Sequence, residues 1–219
     1  MDITKKPIRK FLHSLLNKLN LDGWMLLFVE SALKQNGWFK AFRTKTAIDN
    51  IGQPIPWVTY PFIDFISERL NSDMNIFEFG SGNSALYYSQ KVDSITSVKH
   101  NQAWYNKISK ITPSNVTLIY KVLIENNEYS KCLKDREMIY DIIIVDGVDR
   151  NNCIFNSVNF LNNNGVFVLD DSERDEYKEA TFFLSSKNFK RLDFWGMAPG
   201  ILYKKCASIF YKSNNCLNI

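Results

Sequence analysis

The stretch NIFEFGSGNSALYYS, residues 75–89, joins an apolar run to a helix-like run through a pair of glycines. Without Cβ atoms, Gly80 and Gly82 let the backbone turn tightly and approach a ligand closely. Ala85 completes a Gly-x-Gly-x-x-Ala pattern, the spacing of turns that cradle nucleotide-like ligands. The same turn also serves as a plain strand-to-helix connection, so its surroundings decide its meaning.

Outward from this motif the chain alternates. Strand-like apolar runs fall at 75–79, 94–98, 115–121, 140–145, 165–169, 188–195 and 207–212. Helical patterns occupy 84–91, 101–110, 151–161 and 173–186, and 122–139 fits neither period. The runs IIIV and VFVL are continuous rather than alternating, as required of parallel strands buried on both faces. The expected fold is an α/β, doubly wound, mostly parallel sheet of Rossmann-like type. The last two strands have no helix between them and are expected to form an antiparallel edge hairpin.

Residues 1–60 read as a helical and irregular extension to a domain at 61–219. Ile8, Phe11, Leu12, Leu15, Leu16 and Leu19 share one face of an amphipathic basic helix over 8–19. Such a face docks on its own domain, on a second copy in a homodimer, or on an anionic membrane surface. Residues 36–60 read as an irregular ordered connection, and PFIDFISERL from Pro61 as a helix opened by proline.

Charge is distributed unevenly. Residues 1–45 carry a net +6 and the remainder −2, within a total of +4. The slightly acidic main domain argues against nucleic acid as principal partner. The four cysteines lack Cys-x-x-Cys spacing and only two histidines are present, which disfavours a zinc site. Scattered thiols, the absence of an 18-residue apolar run and the lack of a signal-peptide pattern point to a cytoplasmic protein.

In an open parallel sheet, ligands bind beyond the carboxyl ends of the strands. Those ends hold Glu78 to Ser84, Lys99 to Asn101, Asp146 with Gly147, and Asp170 to Ser172. Three of the four carry acids. Like charges repel at short range, so a purely structural sheet has no reason to collect them at one edge.

FEFGSGNSALYYS, SVKHNQAWY, YDIIIVDGVDRNNC and GVFVLDDSERDEY, in this order, resemble the successive motifs of class I S-adenosylmethionine-dependent methyltransferases of small bacterial type. The resemblance spans about residues 74–212, and GQPIPWVTYPFIDFI is similar to the entry segment of members associated with glycans and secondary metabolites. It implies S-adenosylmethionine held by Glu78, Gly80, Ser81, Gly82, Asn83, Ser84, Lys99, His100, Asp146 and Gly147. It also implies O-methylation of a small-molecule or glycan-type acceptor. Asp146, Asp170 and Asp171 resemble the carboxylate set that holds Mg²⁺ in metal-dependent O-methyltransferases. Without a metal, Asp146 is the expected general base. Alternatively, Ser172 with Asp175 forms a capping box, or Asp171 caps the next helix. Trp57, Tyr60 and Trp195 are the candidate acceptor contacts.

Position 99 departs from the pattern. The family commonly reads Ser-Val-Glu-His there, the glutamate accepting hydrogen bonds from the ribose hydroxyls. This chain reads Ser97-Val98-Lys99-His100, and an ammonium has no acceptor to offer. Asn101 or His100 is left to replace that contact. Lys99 also suits a 2′-phosphate, which keeps an NADP-dependent oxidoreductase open, as well as a catalytically silent binding domain.

Overall fold

A computed structural model describes residues 14–123, 128–134 and 136–219. Seven strands form one sheet: β1 Asn75–Phe79, β2 Ser94–Lys99, β3 Val116–Tyr120, β4 Tyr140–Val145, β5 Leu161–Asp170, β6 Lys190–Gly196 and β7 Lys205–Tyr211. Their order is β3-β2-β1-β4-β5-β7-β6. The first five in that order run parallel, while β7 is antiparallel to both β5 and β6. The expected sheet and its edge hairpin are both present.

The helices, in chain order, are α1 Asp22–Glu30, α2 Ala32–Gln35, α3 Trp38–Thr44, α4 Tyr60–Ser67, α5 Asn83–Tyr88, α6 Gln102–Ile108, α7 Arg150–Ser157 and α8 Lys178–Ser186. Among the described residues, no helix is long and apolar enough to cross a membrane. Residues 14–18 are helical, and the rest of the expected 8–19 helix before them lies outside the described residues.

Alternation along each strand explains the continuous apolar runs. Ile142, Ile144, Val166 and Val168 face one layer with Ile76, Phe62 and Ile66. Ile143, Val145, Phe167 and Leu169 face the other with Phe77, Ile154 and Leu184. Both faces are covered, so the IIIV and VFVL runs are apolar at every position.

Among the boundaries that differ from expectation, three have a long-range reason. β5 begins at Leu161 because its polar start finds partners off the ladder. Asn162 Nδ2 donates to Asp141 Oδ1 at 3.0 Å, and Cys216 N donates to Asn164 O at 2.7 Å. The preceding helix accordingly stops at Ser157 and a 3₁₀ turn, Val158–Phe160, completes the connection. Within the stretch expected to be irregular, α3 forms between two left-handed residues, Gly37 (φ 78°) and Lys45 (φ 53°). Trp38 Nε1 fastens it to Ile201 O at 2.8 Å.

The segment after α3 is tied to the β6–β7 connection. Trp57 Nε1 donates to Pro199 O at 2.8 Å, Thr59 Oγ1 to Phe194 O at 2.9 Å, and Tyr60 N to Met197 O at 2.9 Å. These contacts hold a wall over the carboxyl ends of the strands. Gly37 anchors its start, since a Cβ there would run into the backbone of Asp49 and Asn50. Gly37→Ala combines that collision with a left-handed φ. It is expected to cost about 3 kcal/mol and lower the melting temperature by about 6–12 °C, read by circular dichroism.

Candidate active site

Between β1 and β4 the direction of strand addition reverses, which opens a crevice at their carboxyl ends. Gly80 leaves β1 with φ 104°, and a Cβ there would lie 3.0 Å from the Asp146 carbonyl and 3.1 Å from Gly147 N. The two exits touch, so position 80 requires glycine on both counts. Gly147 packs more closely still, its Cβ position running into Tyr129 Oη and lying 3.1 Å from Phe79 O. A cavity of about 360 Å³ opens above them. Gly80, Ser81, Gly82, Asn83 and Ser84 line its floor, while Lys45, Ala47, Trp57 and Tyr203 line the walls. Asn83 Nδ2 donates to Ala47 O at 2.7 Å and joins floor to wall.

Beneath the floor lies Glu78, 1% exposed. It accepts a hydrogen bond from Ser97 Oγ at 2.9 Å and another from Ser84. Burial pushes its carboxyl up to about 8 despite those bonds; Asp146 adds to the rise and Lys99 opposes it. In the free protein Glu78 is therefore largely protonated at neutral pH, and a cation placed beside it would ionise it.

Lys99 lines the cavity, with its ammonium 5.8 Å from the Trp104 ring. Burial lowers its pKa, while Glu78 and Asp146 oppose that. Neither residue expected to replace the ribose contact reaches the cavity. Asn101 Oδ1 caps α6 by accepting from Trp104 N at 2.9 Å. The His100 ring stands edge-on to Tyr129 at 5.8 Å, and its Nδ1 is buried without a partner. Burial and then Lys99 push the His100 pKa down, so the ring is neutral.

Of the three candidate acceptor contacts, only Trp57 lines the cavity. Tyr60 opens α4 and is buried in the apolar layer. Trp195 sits on edge strand β6, exposed, with Lys204 over its ring at 5.1 Å.

The carboxylates at the ends of β4 and β5 do converge, but on side-chain cations. Lys205 Nζ, buried at the start of β7, lies 2.5 Å from Asp170 Oδ2 and 2.6 Å from Asp171 Oδ1. Arg150 Nη2 lies 3.4 Å from Asp146 Oδ1 and 3.3 Å from Asp171 Oδ2, and Arg174 Nη2 lies 2.7 Å from the same Asp171 oxygen. Arg150 also donates to the carbonyls of Gly147 and Asp170. Asp146 and Asp170 are hydrogen-bonded to each other. Burial raises both, with Asp146 the second cause for Asp170. Burial also works against Asp171, yet Lys205, Arg150 and Arg174 hold it below the ordinary carboxylate value.

This arrangement corrects the Mg²⁺ expectation. Among the described residues, no group of three acidic, histidine or cysteine ligands is disposed to hold a metal. The oxygens of Asp170 and Asp171 that would face a cation face Lys205 instead. The expected capping box is also absent: Ser172 Oγ meets Ser208 Oγ at 2.5 Å, and the next helical turn starts only at Asp175. Asp171 has φ 52° and ends the strand in a turn.

Sequence reasoning missed Lys205, Arg150 and Arg174. Arg150 follows the motif Asp146-Gly147 by three residues and was within reach of an i,i+4 reading. Lys205 carried no local signal, because antiparallel pairing of β7 with β5 is what brings it to Asp170.

No protein-family model and no curated protein sequence matches the chain. Solved structures do. Precorrin-6y C5,15-methyltransferase from Geobacter metallireducens aligns with TM-score 0.55 at 18% identity, covering 70% of this chain and 87% of that one. A methyltransferase-like protein from Silicibacter pomeroyi gives TM-score 0.54 at 16% identity, covering 73% and 89%. Fibrillarin from Aeropyrum pernix, solved with bound S-adenosyl-L-methionine, gives TM-score 0.52 at 12% identity, covering 65% and 68%. At these identities the likeness is one of architecture: the chain has the Rossmann-like fold that these methyltransferase structures share.

Proposed function

We propose that the protein is an S-adenosylmethionine-dependent methyltransferase acting at oxygen on a small-molecule or glycan-type acceptor. The observation that carries this reading is Glu78, a carboxyl buried directly under the Gly80 turn at the sheet's switch point. S-adenosylmethionine has no phosphate and carries positive charge, so its cradle needs close backbone approach and a nearby carboxylate. A loop built for phosphate has little use for a buried acid beside its glycines. The cavity volume suits such a ligand, and Ser81 Oγ is buried on its floor without a partner.

When bound, S-adenosylmethionine supplies an electrophilic methyl group. The chain's own residues then align and deprotonate. Trp57 and Tyr203 position the acceptor along one wall, and alignment is a large part of such catalysis. Asp146, which faces the cavity and is held by Arg150, takes the hydroxyl proton. Burial raises the Asp146 pKa, which suits it to accept a proton.

Calorimetric titration with S-adenosylmethionine, its demethylated product and NADP in metal-free buffer tests the reading. Micromolar binding of the first two is expected. Binding of NADP alone assigns a reductase instead, and no binding leaves a silent domain. Lys99 gives a sharper measurement. Lys99→Glu restores an acceptor for the ribose hydroxyls and is expected to tighten binding of the demethylated product about tenfold. Unchanged affinity would place Lys99 away from the ribose.

A further inference from the structure

Lys205 lines the cavity on the β5 side, held there by carboxylates, and its side chain is only 7% exposed. Two of its three N–H directions are taken by Asp170 and Asp171. Asp146 joins the same cluster through its hydrogen bond to Asp170. Divalent cations in proteins take oxygen ligands from such carboxylates. Here an ammonium on a chain anchored in β7 fills that place.

The charges agree. Asp146, Asp170 and Asp171 are held in contact with three cations, Arg150, Arg174 and Lys205. A dication entering this cluster would add two uncompensated charges. It would also have to expel a buried ammonium from its partners, leaving it without compensation.

We propose that Lys205 permanently occupies the place between Asp170 and Asp171 that a divalent cation would take, so that this site works without a metal. Its catalytic meaning rests on the methyl-transfer reading above. Its structural content does not, and the two are separable by experiment.

The full chain is titrated with Mn²⁺, free ion being followed by electron paramagnetic resonance and stability by thermal unfolding, for wild type, Lys205→Gln, Lys205→Arg and Asp146→Asn. Wild type and Lys205→Arg are expected to bind no Mn²⁺ and show no thermal shift. Folded Lys205→Gln is expected to bind Mn²⁺ at least about tenfold more tightly than wild type and to be stabilised by it. Wild-type binding that Asp146→Asn abolishes would overturn the proposal, as would a folded Lys205→Gln indifferent to Mn²⁺. Should Lys205→Gln not fold, the comparison of wild type with Asp146→Asn decides alone. Titration of the same samples with the demethylated cofactor product tells the failures apart: that product binds or not whatever Mn²⁺ does.

Discussion

Replacing Glu78 with glutamine is expected to stabilise the free protein at pH 8 while weakening S-adenosylmethionine binding by about 30- to 700-fold. The stability half follows from burial. The Glu78 carboxyl titrates near 8 in the folded chain, against an ordinary value of 4.5. Between those values the unfolded chain has already released the proton that the folded chain keeps. Folded protein therefore binds more protons, and stability falls as pH rises through this window. Glutamine has no proton to lose. The gap between variant and wild type should be small at pH 5 and largest at pH 8, measured by thermal unfolding across the range.

The binding half runs the other way. A cationic ligand beside Glu78 drives its ionisation, so binding near neutral pH should release a proton. Wild-type affinity should rise with pH up to about 8, and calorimetry in buffers of different ionisation heat should count that proton. Removing a buried charge partner from a cationic ligand loses about 2–4 kcal/mol, which sets the fold-change given above. A wild-type affinity independent of pH, or a glutamine variant that binds as tightly, would remove Glu78 from the cofactor site. A residue whose loss stabilises the fold and disables binding is one held at a cost for function.

The second large effect concerns Asp170 and Lys205. Asp170→Asn leaves the buried ammonium with Asp171 alone, and Lys205→Met leaves the Asp170 carboxyl without its cation. Breaking a buried pair from one side typically costs about 3–5 kcal/mol, and each single variant should fall near the lower end because Asp171, Arg150 and Arg174 stay paired. The double variant keeps two acids facing two arginines. It should recover at least about 2 kcal/mol relative to the sum of the singles, read from urea unfolding. Additive losses would mean that the two side chains do not act as a pair. Mn²⁺ should rescue the lysine variant and leave the aspartate variant unaffected.

Much of the site's floor was legible in the sequence because it is local. Gly80, Glu78, Asp146 and Asp170 each sit at the end of an apolar run whose length and continuity mark a buried parallel strand. The parallel topology then places those ends together. Asp171 was equally legible as a position and misread in its chemistry. Its neighbour Asp170 meets Lys205 across β5 and β7, a pairing 35 residues apart that no local period announces. Trp195 and Tyr60 were misplaced for a related reason: aromatic character is visible in a sequence, but the face a side chain takes is not.

Taken alone, the amino-acid order determined the alternation of strands and helices, the parallel core and the glycine turn with its buried acid. Hydrophobic periodicity and backbone sterics act over a few residues, and so they can be read from a few residues. Tertiary structure alone decided what the converging carboxylates face. Register and strand order brought Lys205 to Asp170 and Asp171 and placed Arg150 against Asp171 as well as Asp146, and at those distances Coulomb attraction between buried groups favours ammonium and guanidinium partners.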